Sequence, residues 1–281
     1  MTPTGNAFTE HAADLYRDGS RLAARTSALH RAKTHGRPVA DVIAELAANR
    51  LAVPQHAVVA DIGCGRGTSS RVLAERLGPQ LLLCVDASAA MLSAARARIS
   101  ARTRGTHTTV VFLRADFHHM PLPDAACDLA VAAFCLYHAA DPRPVIDEIA
   151  RTLAPCGAAI LVTKSADSYR ALDCLVADAG LDVHATERPS LYAAAHSGNL
   201  ADLTAPFLQV ERVQHEEHRF AFTGLDHVAD YLATSPKYDL PPGLAADPAA
   251  IAAALHAVLP DRPLVTTSTI TYLTATRGAP A

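Results

Sequence analysis

Short apolar runs alternate with amphipathic stretches of helix length between residues 57 and 163. The apolar runs have the length and composition of strands that are buried on both faces of a parallel sheet. Helical periodicity in the stretches between them supplies the crossovers, which are right-handed in such sheets. The pattern therefore predicts a doubly wound α/β fold with a mostly parallel sheet. The strand candidates are Ala57–Ile62, Leu81–Val85, Thr109–Arg114, Leu129–Phe134 and Ala158–Thr163.

The regular alternation of strand and helix patterns ends after Lys164. Two longer runs, Val210–Phe222 and Thr266–Thr276, alternate their sides in the way of strands at an antiparallel edge, so the sheet is predicted to have seven strands. Helical patterns fill the chain before Pro54 and much of the region between the two long runs. We expect a helical cap over residues 1–53, followed by a sheet domain over 54–281 with a lid insertion around 180–260.

Composition excludes several classes of function. The chain has 281 residues, 50% of them hydrophobic, and a net charge of −3 without a basic stripe, which argues against a nucleic-acid partner. No apolar run reaches the ~18 residues of a membrane span, and the first residues lack the pattern of a secretory signal. Six cysteines stand singly, without a C-x-x-C pair, which is typical of buried free thiols. These features predict a cytoplasmic protein.

A glycine-rich turn follows the first predicted strand, in the stretch V-V-A-D-I-G-C-G-R-G-T-S-S at residues 58–70. Gly63, Gly65 and Gly67 can adopt positive φ and let a ligand approach the backbone closely. The spacing differs from the G-x-G-x-x-G of dinucleotide-binding proteins, because Thr68 stands where the third glycine would be. By itself the turn is also consistent with a tight strand-to-helix connection that binds nothing.

Acidic residues after the next two strands suggest what the turn binds. Asp86 ends the second strand, 25 positions after Asp61, where a carboxylate can accept hydrogen bonds from ribose hydroxyls. Asp116 follows the third strand, placed to accept from the amine of an adenine, with Phe117 beside the ring. No lysine follows the glycines as in a phosphate-binding loop. The ligand is therefore expected to be a nucleoside without phosphates.

Four motifs follow one another along the chain: D-I-G-C-G-R-G at 61–67, Asp86 in C-V-D-A-S, A-D-F at 115–117 with M-P-L at 120–122, and D-E-I-A-R-T-L-A-P-C-G at 147–157. In this order they resemble class I S-adenosylmethionine-dependent methyltransferases, and most closely the ubiquinone/menaquinone-biosynthesis and small-molecule branch. The resemblance covers roughly residues 55–165 and implies a Rossmann-like methyltransferase fold with S-adenosylmethionine as cofactor. One departure is Pro155-Cys156-Gly157, where the family usually has Pro-Gly-Gly in a structural turn.

The resemblance also implies which residues hold the cofactor. Its methionine part would lie over the glycine turn, with Asp61 supporting the amino group. Asp86 would bind the ribose and Asp116 the adenine, while Phe134 would open the loop under the sulfonium. The full expected set is Asp61, Gly63, Cys64, Gly65, Gly67, Asp86, Ala87, Met91, Ala115, Asp116, Phe117 and Phe134.

Methyl transfer from a sulfonium mainly requires alignment of the nucleophile, and orientation alone can supply ~7–11 kcal/mol of the barrier. His138 and Tyr137, in the loop after the fourth strand, are the candidates for a catalytic base. His138 has a packing or hydrogen-bonding role as its alternative. No histidine and carboxylate cluster has the spacing of a metal site, so no metal is expected.

Acceptor contacts are expected from the cap and lid. Tyr16, Tyr231 and Tyr238 are the candidates, with simple packing as the alternative role of Tyr16 and Tyr231. Lys237 is a further candidate, either to receive a carboxylate of the substrate or to be an ordinary surface lysine.

The sequence thus predicts methyl transfer to an O, N or activated C atom of a small molecule, with a specialised metabolite as the expected acceptor. Three alternatives stay open. The chain could use the cofactor electrostatically in another reaction such as a cyclisation, could be a non-enzymatic binding module, or could be a dinucleotide oxidoreductase. The expected partners are the small-molecule acceptor and a second copy of the chain in a homodimer.

Overall fold

A computed structural model describes residues 20–100 and 107–278 of the chain. The strands are β1 (Lys33–His35), β2 (Val58–Ile62), β3 (Leu81–Asp86), β4 (Thr109–Arg114), β5 (Cys127–Ala133), β6 (Leu153–Lys164), β7 (Gln209–Phe222) and β8 (Leu264–Thr276). The helices are α1 (Ser20–Ala32), α2 (Val39–Ala48), α3 (Thr68–Leu77), α4 (Ala89–Ser100), α5 (Arg143–Thr152), α6 (Arg170–Asp178), α7 (Leu200–Thr204), α8 (Leu225–Leu232) and α9 (Pro248–Val258). Short 3-10 turns occupy Pro54–His56 and Leu136–His138.

The strands form one sheet in the order β1-β7-β8-β6-β5-β2-β3-β4. Within it, β4, β3, β2, β5 and β6 are mutually parallel neighbours. Val59, Ile62 and Leu82 are fully buried, which accounts for the apolar character of these runs. The predicted α/β fold with a mostly parallel sheet is confirmed.

The other edge of the sheet is antiparallel. Ser165 donates to Thr269 while Arg277 donates to Gly157, so β6 and β8 run in opposite directions. β1 also pairs antiparallel with β7. The predicted count of seven strands is wrong, because β1 is an eighth strand. Its three residues, K-T-H, are too few and too polar to produce the alternation by which strands are found.

The chain divides into two compact units. Among the described residues, unit 1 contains 20–36, 165–193 and 216–270, and unit 2 contains 37–100, 107–164, 194–215 and 271–278. Helix α2 belongs to unit 2, where Ala40 and Ala44 pack with Val72 of α3. The functional cap over residues 1–53 and the lid around 180–260 remain predictions.

Two further expectations concern the cysteines and the membrane. All six cysteines are free thiols, as expected, but only four are buried, since Cys156 and Cys174 are exposed. Among the described residues, none of the helices has the length and apolarity to cross a bilayer.

Candidate functional site

The glycine turn joins β2 to α3 in unit 2, at the edge of the sheet where parallel strands end. Gly63, Gly65 and Gly67 all have left-handed φ angles, of 63°, 53° and 72°. A Cβ on Gly63 would stand 2.5 Å from Cys135 Cβ, and one on Gly67 would stand 2.9 Å from Ala95 Cβ. A Cβ on Gly65 would meet nothing within 4 Å. Gly63 and Gly67 therefore leave room for the side chains of Cys135 and Ala95. Of the three glycines, only Gly65 borders space that a ligand could enter.

Asp86 ends β3 and holds the glycine turn in place. Its Oδ2 accepts from the amide of Gly65 at 2.8 Å, and its Oδ1 accepts from the amide of Ser88 at 2.8 Å. Burial raises the pKa of Asp86, while these two amide donors oppose that shift. A carboxylate has about four acceptor sites, so roughly two remain for a ligand.

Asp61 lies deeper, in β2, and is 2% exposed. Ser70 in α3 donates its hydroxyl to Oδ2 of this carboxylate at 2.5 Å. Burial raises the pKa of Asp61 to about 7; the Ser70 hydrogen bond works against the shift, and the negative charge of Asp86 adds to it. A cation that binds nearby would stabilise the ionised form of Asp61.

This raised pKa predicts how stability varies with pH. A carboxyl with a folded pKa above its unfolded value of about 4 contributes stability that is complete below about pH 4 and is lost as pH rises through the folded pKa. Within that window each pH unit changes the free energy of unfolding by about 1.4 kcal/mol. The side chain that the variant Asp61→Asn introduces does not titrate, although its amide oxygen can still accept from Ser70. Between pH 5 and pH 6.5 we therefore expect the free energy of unfolding of the wild type to fall by about 2 kcal/mol relative to that of Asp61→Asn.

Urea unfolding at both pH values would measure this difference. For each protein, the change in the free energy of unfolding between the two pH values is calculated, and the two changes are compared. The contributions of all other titrating groups cancel in this comparison, because both proteins share them. Parallel pH profiles for the two proteins would contradict the assignment of a raised pKa to Asp61.

Asp116 follows β4, as predicted, and is exposed. Its Oδ1 accepts from the amide of His118 at 2.9 Å and lies 2.7 Å from Nδ1 of the same residue. The His118 amide lowers the pKa of Asp116, so this carboxyl stays ionised. Phe117 packs edge-on against His118 with the ring centroids 4.8 Å apart, and Ala115 donates its amide to the carbonyl of Asp86. Asp86 and Asp116 thus belong to neighbouring strand ends that are linked through the backbone.

Two charged residues of α5 hold the loop that follows Asp116. Glu148 accepts from the amide of Met120 at 2.6 Å, and Arg151 donates to Glu148 and to the carbonyls of Met120 and Leu122. The periodicity of the sequence predicted a helix here, but it did not predict the contacts of Glu148 and Arg151. The spacing of three residues between Glu148 and Arg151 was the signal that could have indicated a helical ion pair.

The loop after β5 contains the candidates for catalysis. Phe134 has a φ of 59°, a strained conformation for an aromatic residue, and Lys164 Nζ lies 5.3 Å from its ring centroid. Tyr137 is 5% exposed and its ring centroid lies 4.8 Å from that of His138. His138 is partly buried in the 3-10 turn, where its amide donates to Cys135. The catalytic role of either residue stays a prediction.

The remaining predicted cofactor residues have different surroundings. Cys64 is 8% exposed and donates its amide to the carbonyl of Val85, which ties the turn to β3. Met91 is 1% exposed in the core side of α4, whereas Ala87 is exposed beside Asp86. In the part of the chain that the structure describes, no group of three or more His, Cys, Asp or Glu side chains could hold a metal ion.

The predicted acceptor residues lie in unit 1. Tyr231 and Tyr238 line a common pocket, and Lys237 beside them is bonded to Asp173 rather than lying free on the surface. Tyr16 lies outside the described residues.

Comparison with known proteins finds a family match that includes the glycine turn. Residues 60–161 match the family model described as a methyltransferase domain. A demethylmenaquinone methyltransferase of Clavibacter sepedonicus is 31% identical over 103 residues, which are 37% of this chain and 39% of that protein. The chain aligns with less than half of the length of the first curated relatives that it matches.

Solved structures share the fold more widely. A protein of Bacillus halodurans assigned as a methyltransferase superposes with a TM-score of 0.59 at 17% identity, covering 84% of this chain and 99% of that one. The cyclase SpnF superposes with a TM-score of 0.55 at 19% identity, covering 88% and 85% of the two chains. At these identities the likeness concerns the fold.

Proposed function

Because the chain carries a class I S-adenosylmethionine-dependent methyltransferase domain, we propose that it transfers the methyl group of S-adenosylmethionine to a small-molecule acceptor. The cofactor is proposed to lie across the ends of β2, β3 and β4. The observation that carries this proposal is the pairing of Asp86 with the amide of Gly65, the one glycine of the turn that borders open space.

The side chains of unit 2 fit this cofactor in three respects. Asp86 retains acceptor capacity for two ribose hydroxyls after binding its two amides. A Cβ on Gly65 would meet nothing within 4 Å, which supports placing the amino-acid part of the ligand there. Asp61, with its pKa at about 7, responds to a nearby amino cation by ionising. Asp116 and Phe117 are proposed to contact the adenine.

The bound cofactor would supply an electrophilic methyl group on a sulfonium. The residues of the chain then have to orient the acceptor and exclude water, since alignment can lower the barrier by ~7–11 kcal/mol. Phe134 is proposed to shape the loop next to the reacting centre, which is consistent with its strained backbone. His138 or Tyr137 is proposed to remove a proton from an acceptor that carries one.

The acceptor is proposed to be a specialised metabolite that is methylated at an O, N or activated C atom. The Clavibacter relative acts, by its name, on demethylmenaquinone, and the chain is 31% identical to it over 103 residues, a similarity that supports small molecules as the substrate class. Tyr231 and Tyr238 remain the proposed contacts of the acceptor. A cytoplasmic location and a homodimer are proposed as well.

A second candidate function is a rearrangement such as cyclisation, in which the cofactor stays intact. The likeness to the cyclase SpnF favours keeping this alternative, although the same fold hosts methyltransferases.

An incubation with methyl-labelled S-adenosylmethionine distinguishes the two functions. We expect label to move into a small-molecule fraction from an extract of the producing cells, and S-adenosylhomocysteine to inhibit the transfer. Tight cofactor binding without transfer of label would favour the second function. If neither S-adenosylmethionine nor its demethylated product bound, both functions would be wrong.

A further inference from the structure

One side chain in the loop after β4, that of His118, contacts both residues that are proposed to meet the adenine. Its Nδ1 atom lies 2.7 Å from Oδ1 of Asp116, and its ring meets that of Phe117 edge-on, with the two planes 88° apart. Edge-to-face packing is a favoured arrangement of aromatic rings. The side chain of His118 is 34% exposed, whereas that of Asp116 is 65% exposed. The histidine is the better packed of the two and can therefore support the carboxylate.

The direction of the hydrogen bond between His118 and Asp116 follows from the charge of the carboxyl. The backbone amide of His118 keeps the pKa of Asp116 low, so this carboxyl is ionised and can only accept. Nδ1 of His118 therefore carries a proton and donates to Oδ1. The amide of His118 donates to the same oxygen at 2.9 Å. Two donors on Oδ1 restrict the rotation of the carboxylate and thereby set the direction of Oδ2.

The second carboxylate oxygen is available to a ligand. Within residues 20–100 and 107–278, Asp116 Oδ2 has no hydrogen-bond donor. The backbone that carries His118 is itself anchored on both sides. The amide of His119 donates to the carbonyl of Asp116 at 3.1 Å, and the amide of Met120 donates to Glu148 at 2.6 Å. The arrangement of Asp116 and His118 is thus built into the loop of the protein without a ligand.

We infer that His118 is a positioning residue for the adenine, which holds Asp116 Oδ2 ready to accept from the exocyclic amine and holds the Phe117 ring beside the base. This inference rests on the proposed cofactor site. An exposed side chain loses rotational freedom when it binds a ligand, and a side chain that is already held loses less. The hydrogen bond from His118 therefore strengthens recognition of the amine, while the ring contact supports binding of any purine.

Calorimetry on the full chain with two ligands tests this inference. S-adenosylhomocysteine carries the exocyclic amine, and its 6-desamino analogue has a hydrogen atom in that place. We expect the wild type to bind S-adenosylhomocysteine at least about tenfold more tightly than the analogue, because the analogue loses one hydrogen bond to a carboxylate. Asp116→Ala should bind the two ligands almost equally. The ratio of the two affinities reports recognition of the amine, and a general loss of stability would not change it.

Two substitutions of His118 separate its hydrogen bond from its ring. His118→Phe keeps a ring against Phe117 but removes the donor to Asp116, and it should reduce the affinity ratio about threefold to tenfold, because the carboxylate then has to be ordered on binding. His118→Asn, whose amide can still donate to Asp116, should retain most of the ratio but bind both ligands more weakly. In the Asp116→Ala background, His118→Phe should leave the ratio unchanged, because His118 acts through Asp116.

His184 in unit 1 supplies a matched control. Its Nδ1 lies 3.1 Å from Glu187 Oε2, and its amide donates to Asp182, so it makes the same kinds of contact as His118. His184→Phe should keep the wild-type affinity ratio.

The outcomes distinguish the inference from the proposed function. A wild-type ratio in folded His118→Phe, or an equal loss of the ratio in His118→Phe and His118→Asn, would overturn the role of His118 and leave the cofactor site in place. Equal binding of the two ligands by the wild type would overturn the role of Asp116 and this inference with it. If the wild type bound neither ligand, the proposed function itself would be contradicted.

Discussion

Asp86→Ala is expected to weaken the binding of S-adenosylhomocysteine roughly 1000-fold. Two hydrogen bonds from ribose hydroxyls to a carboxylate would be lost, each worth about 1.5–3 kcal/mol. The Gly65 amide would also lose its acceptor, so the turn that borders the ligand would be released. Calorimetry on the wild type and on the variant measures the change directly.

Asp128 provides a matched control for this experiment. It also belongs to unit 2 and accepts a backbone amide, that of Val58 at 2.8 Å, but at the start of β2 rather than at the ends of the strands. Asp128→Ala should therefore bind the cofactor product with wild-type affinity. Equal losses in both variants would mean that Asp86 acts only through stability, and an unchanged affinity in Asp86→Ala would remove it from the site.

Gly63→Ala and Gly65→Ala should separate stability from binding. Both residues have left-handed φ angles, which cost an alanine about 1–2 kcal/mol. At Gly63 the new methyl would also collide with Cys135 Cβ at 2.5 Å, which adds about 1–3 kcal/mol of overpacking. At Gly65 it would enter open space and obstruct the ligand instead. We expect Gly63→Ala to lose about 3 kcal/mol of stability, whereas Gly65→Ala loses less stability and most of its cofactor affinity.

A double-mutant cycle tests the cause of the Gly63 effect. Cys135→Gly removes the Cβ that the new methyl would meet, so Gly63→Ala should cost clearly less in that background. Denaturant unfolding of the four proteins gives the coupling energy. Additive losses, or equal stability of Gly63→Ala and Gly65→Ala in the wild-type background, would contradict the packing role assigned to Gly63.

The parallel strands of the core were predictable because burial on both faces of the sheet requires nearly all of their residues to be apolar. Val59, Leu82 and Ile160 are fully buried, so their strands had to be apolar and stood out against the amphipathic helices between them. The same logic predicted the ends of the strands and thereby the neighbourhood of Asp86 and Asp116.

Other features depend on contacts between distant residues, which a single sequence does not encode locally. Lys237 and Asp173 are 64 positions apart, and no spacing along the chain indicates that they pair. The three glycines look equivalent in the sequence, yet Cys135 and Ala95 give two of them a packing role. Strand β1 is defined by its partner β7 rather than by its own pattern.

A crystal structure of the chain with S-adenosylhomocysteine tests the central claim most directly. We predict that both ribose hydroxyls lie within hydrogen-bond distance of the Asp86 carboxylate, with the amino-acid part over Gly65 and the adenine beside Asp116. A nucleoside bound away from the ends of β3 and β4, or a ribose without contact to Asp86, would contradict the assignment of this site.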